Sequence, residues 1–212
     1  SAIDEEVTET VATRAPVPQL GTGRTINFQR PCSVKILLYV GGSEQDSVCL
    51  TGIRSDGRLA NYINIDVIGE TVPRDKSPGE QLIIGLREEL PNAPAALVEH
   101  VKSLVTKLPE GHGRFAHAGR FGSHTVYVYA VDIGFLNADP TVWVDTSRPA
   151  DGEWRVDSVK MRPISIFNQA AEDTSHNWRA VYLRGLVNVW VKQLAANAVP
   201  SRVVNLPRTP SA

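Results

Sequence analysis

Apolar and polar positions follow a strand period in some stretches of the chain and a helical period in others. Ser33 to Val40 (Ser-Val-Lys-Ile-Leu-Leu-Tyr-Val) is β-branched and apolar and ends at Gly41-Gly42, which predicts a strand. Asp46 to Thr51 and Tyr62 to Val67 predict two more, with Ser55-Asp56-Gly57 as a turn between them. Beyond Ser77 the spacing changes: Leu82, Leu86 and Leu90 recur every four residues with Ile83 alongside, as an amphipathic helix requires. Ser77 suits the N-cap, Pro78 the first helical position, and Glu80 the third position of a capping box. Pro91 and Pro94 stop that helix. Ala95 to Leu108 predicts a second one, with Leu97, Val101, Leu104, Val105 and Leu108 on one face. Ser123 to Ile133 carries His-Thr-Val-Tyr-Val-Tyr-Ala-Val, the strongest strand signal in the chain. Val142 to Val144 and Glu153 to Val159 predict further strands, with Asp151-Gly152 as a turn. Thr174-Ser175 opens a long helix with Trp178, Tyr182, Leu186, Val189, Trp190 and Leu194 at helical spacing and Val181 widening the stripe.

The first helix also carries candidate chemistry. Glu88 and Glu89 fall in its last turn, the end of the helix dipole that disfavours negative charge. Carboxylates placed there have a partner, a metal or solvent. The stretch Gly69 to Leu90 resembles the Nudix box, a loop–helix–loop of the form Gly-x5-Glu-x7-Arg-Glu-apolar-x-Glu-Glu-x-Gly-apolar. In that register Glu88 and Glu89 take the paired glutamate positions and Leu86 the apolar one. Gly69 and Asp75 stand in the Gly-x5-acid relation, with the following spacer one residue longer than usual. Three positions depart: Ile84 replaces the arginine, Gly85 the first glutamate and Pro91 the terminal glycine. Taking Arg87-Glu88 as the Arg-Glu pair instead would put Pro91 and Asn92 where the second carboxylates belong.

The resemblance implies an α/β fold, a Nudix-like α/β/α sandwich with a mixed β-sheet; Ala95 to Leu108 reads as one inserted helix that a minimal Nudix domain lacks, and the two ends of the chain read as extended N- and C-terminal arms. Family members use the helix glutamates to hold a divalent metal and hydrolyse nucleoside diphosphates linked to another group. By that analogy Glu88 and Glu89 are the catalytic and metal-binding residues, with Mg or Mn as the cofactor if the protein is active. Mg²⁺ takes one or two carboxylates together with substrate phosphates. Gly85 removes a ligand and Ile84 removes the partner that orients the glutamates. Losing an orienting group alone commonly costs about ten- to a hundredfold. The expected function is therefore a Nudix fold with a degenerate catalytic motif, a non-catalytic binding or structural component. A metal-dependent hydrolase is the alternative; it would recruit replacement acids from Glu70, Asp75, Glu80 and Glu153. With no metal, Glu88 and Glu89 are simply solvated.

Gly111 to His124 repeats Gly-Arg-Phe at Gly113 and Gly119. Arg114 and Arg120 could fork to phosphate, and Phe115 and Phe121 could stack on bases, which makes an RNA-binding module a third alternative. The competing reading is a glycine-rich hairpin whose phenylalanines plug the core. His112, His117 and His124 have no cysteine or carboxylate at ligand spacing among them.

Composition narrows the rest. A chain of 212 residues with 42% hydrophobic content suffices for one domain with a sizeable core. A formal net charge of −1 gives no global attraction to nucleic acid or membrane, so phosphate recognition would be local. Cys32 and Cys49 lie in or beside predicted strands without metal spacing, which reads as reduced thiols of an intracellular protein. No apolar run reaches membrane-spanning length and no secretory signal is evident. The chain opens on Ser1, which reads as a processed product or an excised fragment. Residues 1–30 are acidic, then rich in proline and glycine, and read as an N-terminal arm; 31–197 form the domain; 198–212 form a proline-containing tail. Arms of this kind suit contacts with other protein subunits in a larger assembly, such as a viral shell or a ribonucleoprotein.

Overall fold

The computed structural model describes residues 17–18, 25–54, 65–119, 122–147, 154–173 and 178–205. Two short strands, β1 (Val17–Pro18) and β2 (Thr25–Ile26), pair within the stretch expected as the N-terminal arm. The body is built on β3 (Cys32–Val40), β4 (Val48–Ile53), β5 (Ile65–Asp66) and β6 (Ile68–Thr71). Helices α1 (Pro78–Glu89) and α2 (Ala95–Lys107) follow, then β7 (Gly113–Gly119) and β8 (Gly122–Asp132). The short β9 (Lys160–Pro163) precedes α3 (Ile166–Asp173) and α4 (Trp178–Asn205).

Among the described residues seven strands form one mixed sheet in the order β5-β4-β3-β8-β7, with β6 beside β3 and β9 beside β4. β3 is central and runs parallel to β8, with Ile36 opposite Tyr129. From Ile36 to Tyr39 the strand is buried on both faces, which explains the unbroken apolar run there. Val34, Ile36 and Leu38 pack with Leu82, Leu86, Leu97 and Val101 of α1 and α2. Leu37 and Tyr39 pack on the other side with Phe167 of α3 and Leu183, Leu186 and Trp190 of α4. The molecule is thus an α/β/α sandwich built on a mixed sheet, as expected, with α2 as the additional helix. Among the described residues no helix is long and apolar enough to cross a membrane.

Helix α1 starts where its capping signals place it. The Glu80 amide donates to Ser77 Oγ (3.1 Å) and the Ser77 amide to Glu80 Oε2 (3.0 Å). The loop before it is held by Arg30, which is buried and donates from Nη1 to Pro73 O (2.9 Å) and from Nη2 to Lys76 O (2.7 Å).

Two expected strands are corrected. Val142 to Val144 is not a strand: Pro140–Val142 is a 3₁₀ turn, because Asp139 Oδ1 accepts from the Thr141 amide (3.0 Å) and Pro140 cannot donate to a ladder. In Glu153 to Val159, residue 153 lies outside the described residues, Trp154 makes an isolated bridge to Arg54, and Val156–Ser158 is a 3₁₀ turn. There Ser158 Oγ accepts from the Ile53 amide (2.8 Å), so a side chain replaces a ladder bond and the strand begins only at Lys160. Of Tyr62 to Val67, β5 covers Ile65–Asp66 and residues 62–64 lie outside the described residues. The opening of the last helix at Thr174-Ser175 also lies outside them, and α4 runs to Asn205, into the stretch assigned to the tail.

Candidate functional site at the end of the first helix

Three consecutive elements, β5, β6 and α1, meet beside the middle of β3. Gly69 on β6 lies directly opposite Lys35 on β3. A side chain at residue 69 would collide with Lys35, whose Nζ lies 2.7 Å from where its Cβ would stand. Glycine at residue 69 thus leaves the room through which the lysine crosses the strand. Lys35 reaches Asp66, with Nζ 3.3 Å from Oδ2. Asp66 is buried, and it also takes the hydroxyl hydrogen of Tyr182 on α4 and the Val67 amide (2.8 Å). Arg54 Nη1 stands 3.9 Å from the same carboxylate, and Lys35 Nζ lies 5.2 Å from the centre of the Tyr182 ring. Such a charge survives burial only because its lone pairs are filled by charged and hydroxyl donors.

The box residues sit around this network. Gly85 is buried on the inner face of α1, and Glu70 of β6 lies over it. Glu70 Oε1 is 2.5 Å from the position a Cβ on Gly85 would take. The space over Gly85 thus already holds a carboxylate that arrives from the strand. Glu89, one helical turn after Gly85, is half-buried, whereas Glu88 is exposed. Glu89 lines a cavity of about 20 Å³ with Lys35, Arg54, Gly69 and Trp154. The Trp154 indole rests on Gly52, its Cε2 2.8 Å from where a Cβ would be. A volume of that size holds about one water and no nucleotide.

The other sequence candidates are dispersed. Asp75 is exposed on the loop that Arg30 anchors, Glu80 is engaged in the capping box, and Glu153 lies outside the described residues. Among the described residues no group of three or more His, Cys, Asp or Glu side chains is placed to hold a metal ion. A dication beside Glu89 would also meet the cations of Lys35 and Arg54. The donor set does not fit the Mg or Mn that the motif implies.

Arg114 on β7 is exposed, but Phe115 is buried against Gly185 and Tyr182, its ring centre 5.9 Å from that of Tyr182. Strand alternation turns residue 115 toward α4, so its ring is not presented for stacking on a base. Arg120 and Phe121 lie outside the described residues. His117 and His124 are cross-strand partners with stacked rings 5.6 Å apart, and His124 Nε2 is 2.7 Å from Ser33 Oγ. Burial lowers the pKa of both; the neighbouring His124 adds to the effect on His117, and the Lys35 charge to that on His124.

Lys35, Asp66 and Arg30 were not singled out by sequence reasoning, and Tyr182 was read only as part of the apolar face of the last helix. The available signal was a charged residue inside each of two apolar runs, Lys35 in one and Asp66 in the other.

No family model and no curated protein matches the chain. Among solved structures, one that the chain is similar to is the Nudix domain of Shewanella oneidensis NrtR complexed with ADP ribose. The identity is 13% and the TM-score 0.39, over 67% of this chain and 78% of that one.

Proposed function

We propose that this chain is a Nudix-fold protein whose box has exchanged metal chemistry for a structural charge network, and that it serves as a non-catalytic binding or structural component of a larger assembly. One observation carries the reading: Glu70 fills the space over Gly85 while Lys35 and Arg54 stand as cations at the cavity that Glu89 lines. The lysine supplies internally the positive charge that a dication would bring. The terminal arms are the proposed contacts with other protein subunits, on compositional grounds alone. A viral shell or a ribonucleoprotein is the kind of particle such arms suit. Buried, unpaired Cys32 and Cys49 support a reducing, intracellular setting.

A second reading has a specific observation in its favour. Glu70 brings a carboxylate to the missing position, so Glu70 and Glu89 could serve a hydrolase of nucleoside diphosphate derivatives. Turnover of a panel of such compounds with Mg²⁺ or Mn²⁺ separates the two. The proposal expects no metal-dependent turnover above buffer. Robust turnover lost in both Glu89→Gln and Glu70→Gln would overturn it. RNA binding has weaker support, because of the two Gly-Arg-Phe phenylalanines the described one, Phe115, is in the core.

A further inference from the structure

A second cavity among the described residues lies away from the box. It measures about 550 Å³, within the range of small-molecule sites, and shares no residue with the cavity at Glu89. It opens at the carboxyl ends of the parallel strands β3 and β8, where Tyr39 lies opposite Asp132. Crevices outside the carboxyl ends of strands are where open α/β sheets place ligands.

The lining is chemically specific. Phe135 is 56% exposed, an uncommon state for a large aromatic side chain, and its ring lies 5.1 Å from that of His100, tilted by 56°. These rings offer a π surface at the mouth. On the same cavity wall, His112 Nδ1 accepts from the Ala130 amide (2.9 Å). That bond fixes the tautomer and leaves Nε2 as the N–H donor of the ring. Burial pushes the pKa of His112 down to about 4, so the imidazole is neutral at physiological pH. Asp132 uses Oδ1 to accept from the Gly134 amide (2.8 Å), which leaves lone pairs of the exposed carboxylate for an N–H donor. No lysine or arginine is among the lining residues, so nothing there is suited to phosphate.

We infer that this cavity is a binding site for an uncharged planar nitrogen heterocycle of nucleobase size, stacked on Phe135, accepting from His112 Nε2–H and donating to Asp132. Because the site is separate from the box, the inference stands whether or not the box is catalytic.

The test is a titration of the full chain with adenosine, followed by nitrogen–proton NMR of the histidine side chains, with AMP and indole as comparison probes. Adenosine is expected to shift the His112 Nε2–H resonance and to saturate. AMP should bind more weakly, because its phosphate meets the Asp132 carboxylate and no cation. Indole, which lacks a ring acceptor, should bind more weakly too. Phe135→Ala, at an exposed position, should weaken adenosine about tenfold or more. Absence of any shift at His112, unchanged affinity in Phe135→Ala, or AMP or indole binding as tightly as adenosine would each overturn the assignment.

Discussion

The carboxylate of Glu70 occupies the space that a side chain on Gly85 would need. In an ordinary helix interior Gly→Ala gains about 1 kcal/mol. Here the added methyl group meets Glu70, and overpacking of this kind costs about 1–3 kcal/mol. Gly85→Ala should therefore lie between neutral and destabilising by about 2 kcal/mol in urea unfolding. In a Glu70→Ala background the same change should become stabilising. Equal gains in both backgrounds would show that the two residues do not compete for one space.

Asp66 and Lys35 form the second relationship with a measurable consequence. Their side chains are 2% and 13% exposed. Removing one partner of a buried pair strands the other charge, at a cost of about 3–5 kcal/mol. Asp66→Asn should fall near the lower end of that range, because half-exposed Arg54 can turn to solvent. Lys35→Met leaves Asp66 with the Tyr182 hydroxyl and the more distant Arg54, and should cost a similar amount. Chemical denaturation showing less than about 1 kcal/mol for both would contradict a buried network.

Phe115 and Arg114 are neighbours in sequence with opposite expected effects. Phe115→Ala empties a buried ring site beside Gly185 and should cost about 3–5 kcal/mol. Arg114→Ala, at an exposed position whose side chain hydrogen-bonds Tyr127, should cost no more than about 1.5 kcal/mol. Thermal or denaturant unfolding of the two variants measures the contrast. A Phe115→Ala protein as stable as the parent, with weakened RNA binding, would return the residue to a base-stacking role.

Acid should destabilise the fold before its carboxylates titrate. His112, His117 and His124 all have folded-state pKa values below the ordinary 6.5, in each case chiefly through burial. As pH drops below 6.5 the unfolded chain therefore binds protons that the folded chain does not. The stability these residues contribute is complete above that pH and drains away toward about 4, the folded value of His112. Urea midpoints should fall steadily between pH 7 and pH 5, and His117→Gln should reduce the slope. A flat profile, or stability rising toward acid, would contradict neutral burial of the imidazoles.

The sequence carried much of this structure in local signals and little of its site. The capping box at Ser77 and Glu80 and the leucine spacing gave α1 its boundaries to within a residue, because those signals act inside one helix. The run at Ser33 to Val40 gave β3 for the same reason. Helix α3 was not read from its spacing, although Phe167, Ala170 and Ala171 pack against the sheet. The gap at Gly85 was visible as a departure from a motif, and Glu70 was one of four acids offered to replace it, but which of the four stands there was not visible. Glu70 arrives through the pairing of β6 with β3, where it lies opposite Val34, and no spacing along the chain reveals a cross-strand register. Asp66 was hidden in the same way, since an acid inside an apolar run has meaning only once Lys35 and Tyr182 are seen to converge on it.

A manganese titration of the full chain, read by the electron paramagnetic resonance of free Mn²⁺, bears most directly on whether the box has given up its ion. The account predicts no stoichiometric site at up to about 1 mM metal, and no difference between the natural chain and Glu89→Gln. One tight equivalent of Mn²⁺ that disappears in Glu89→Gln would contradict it.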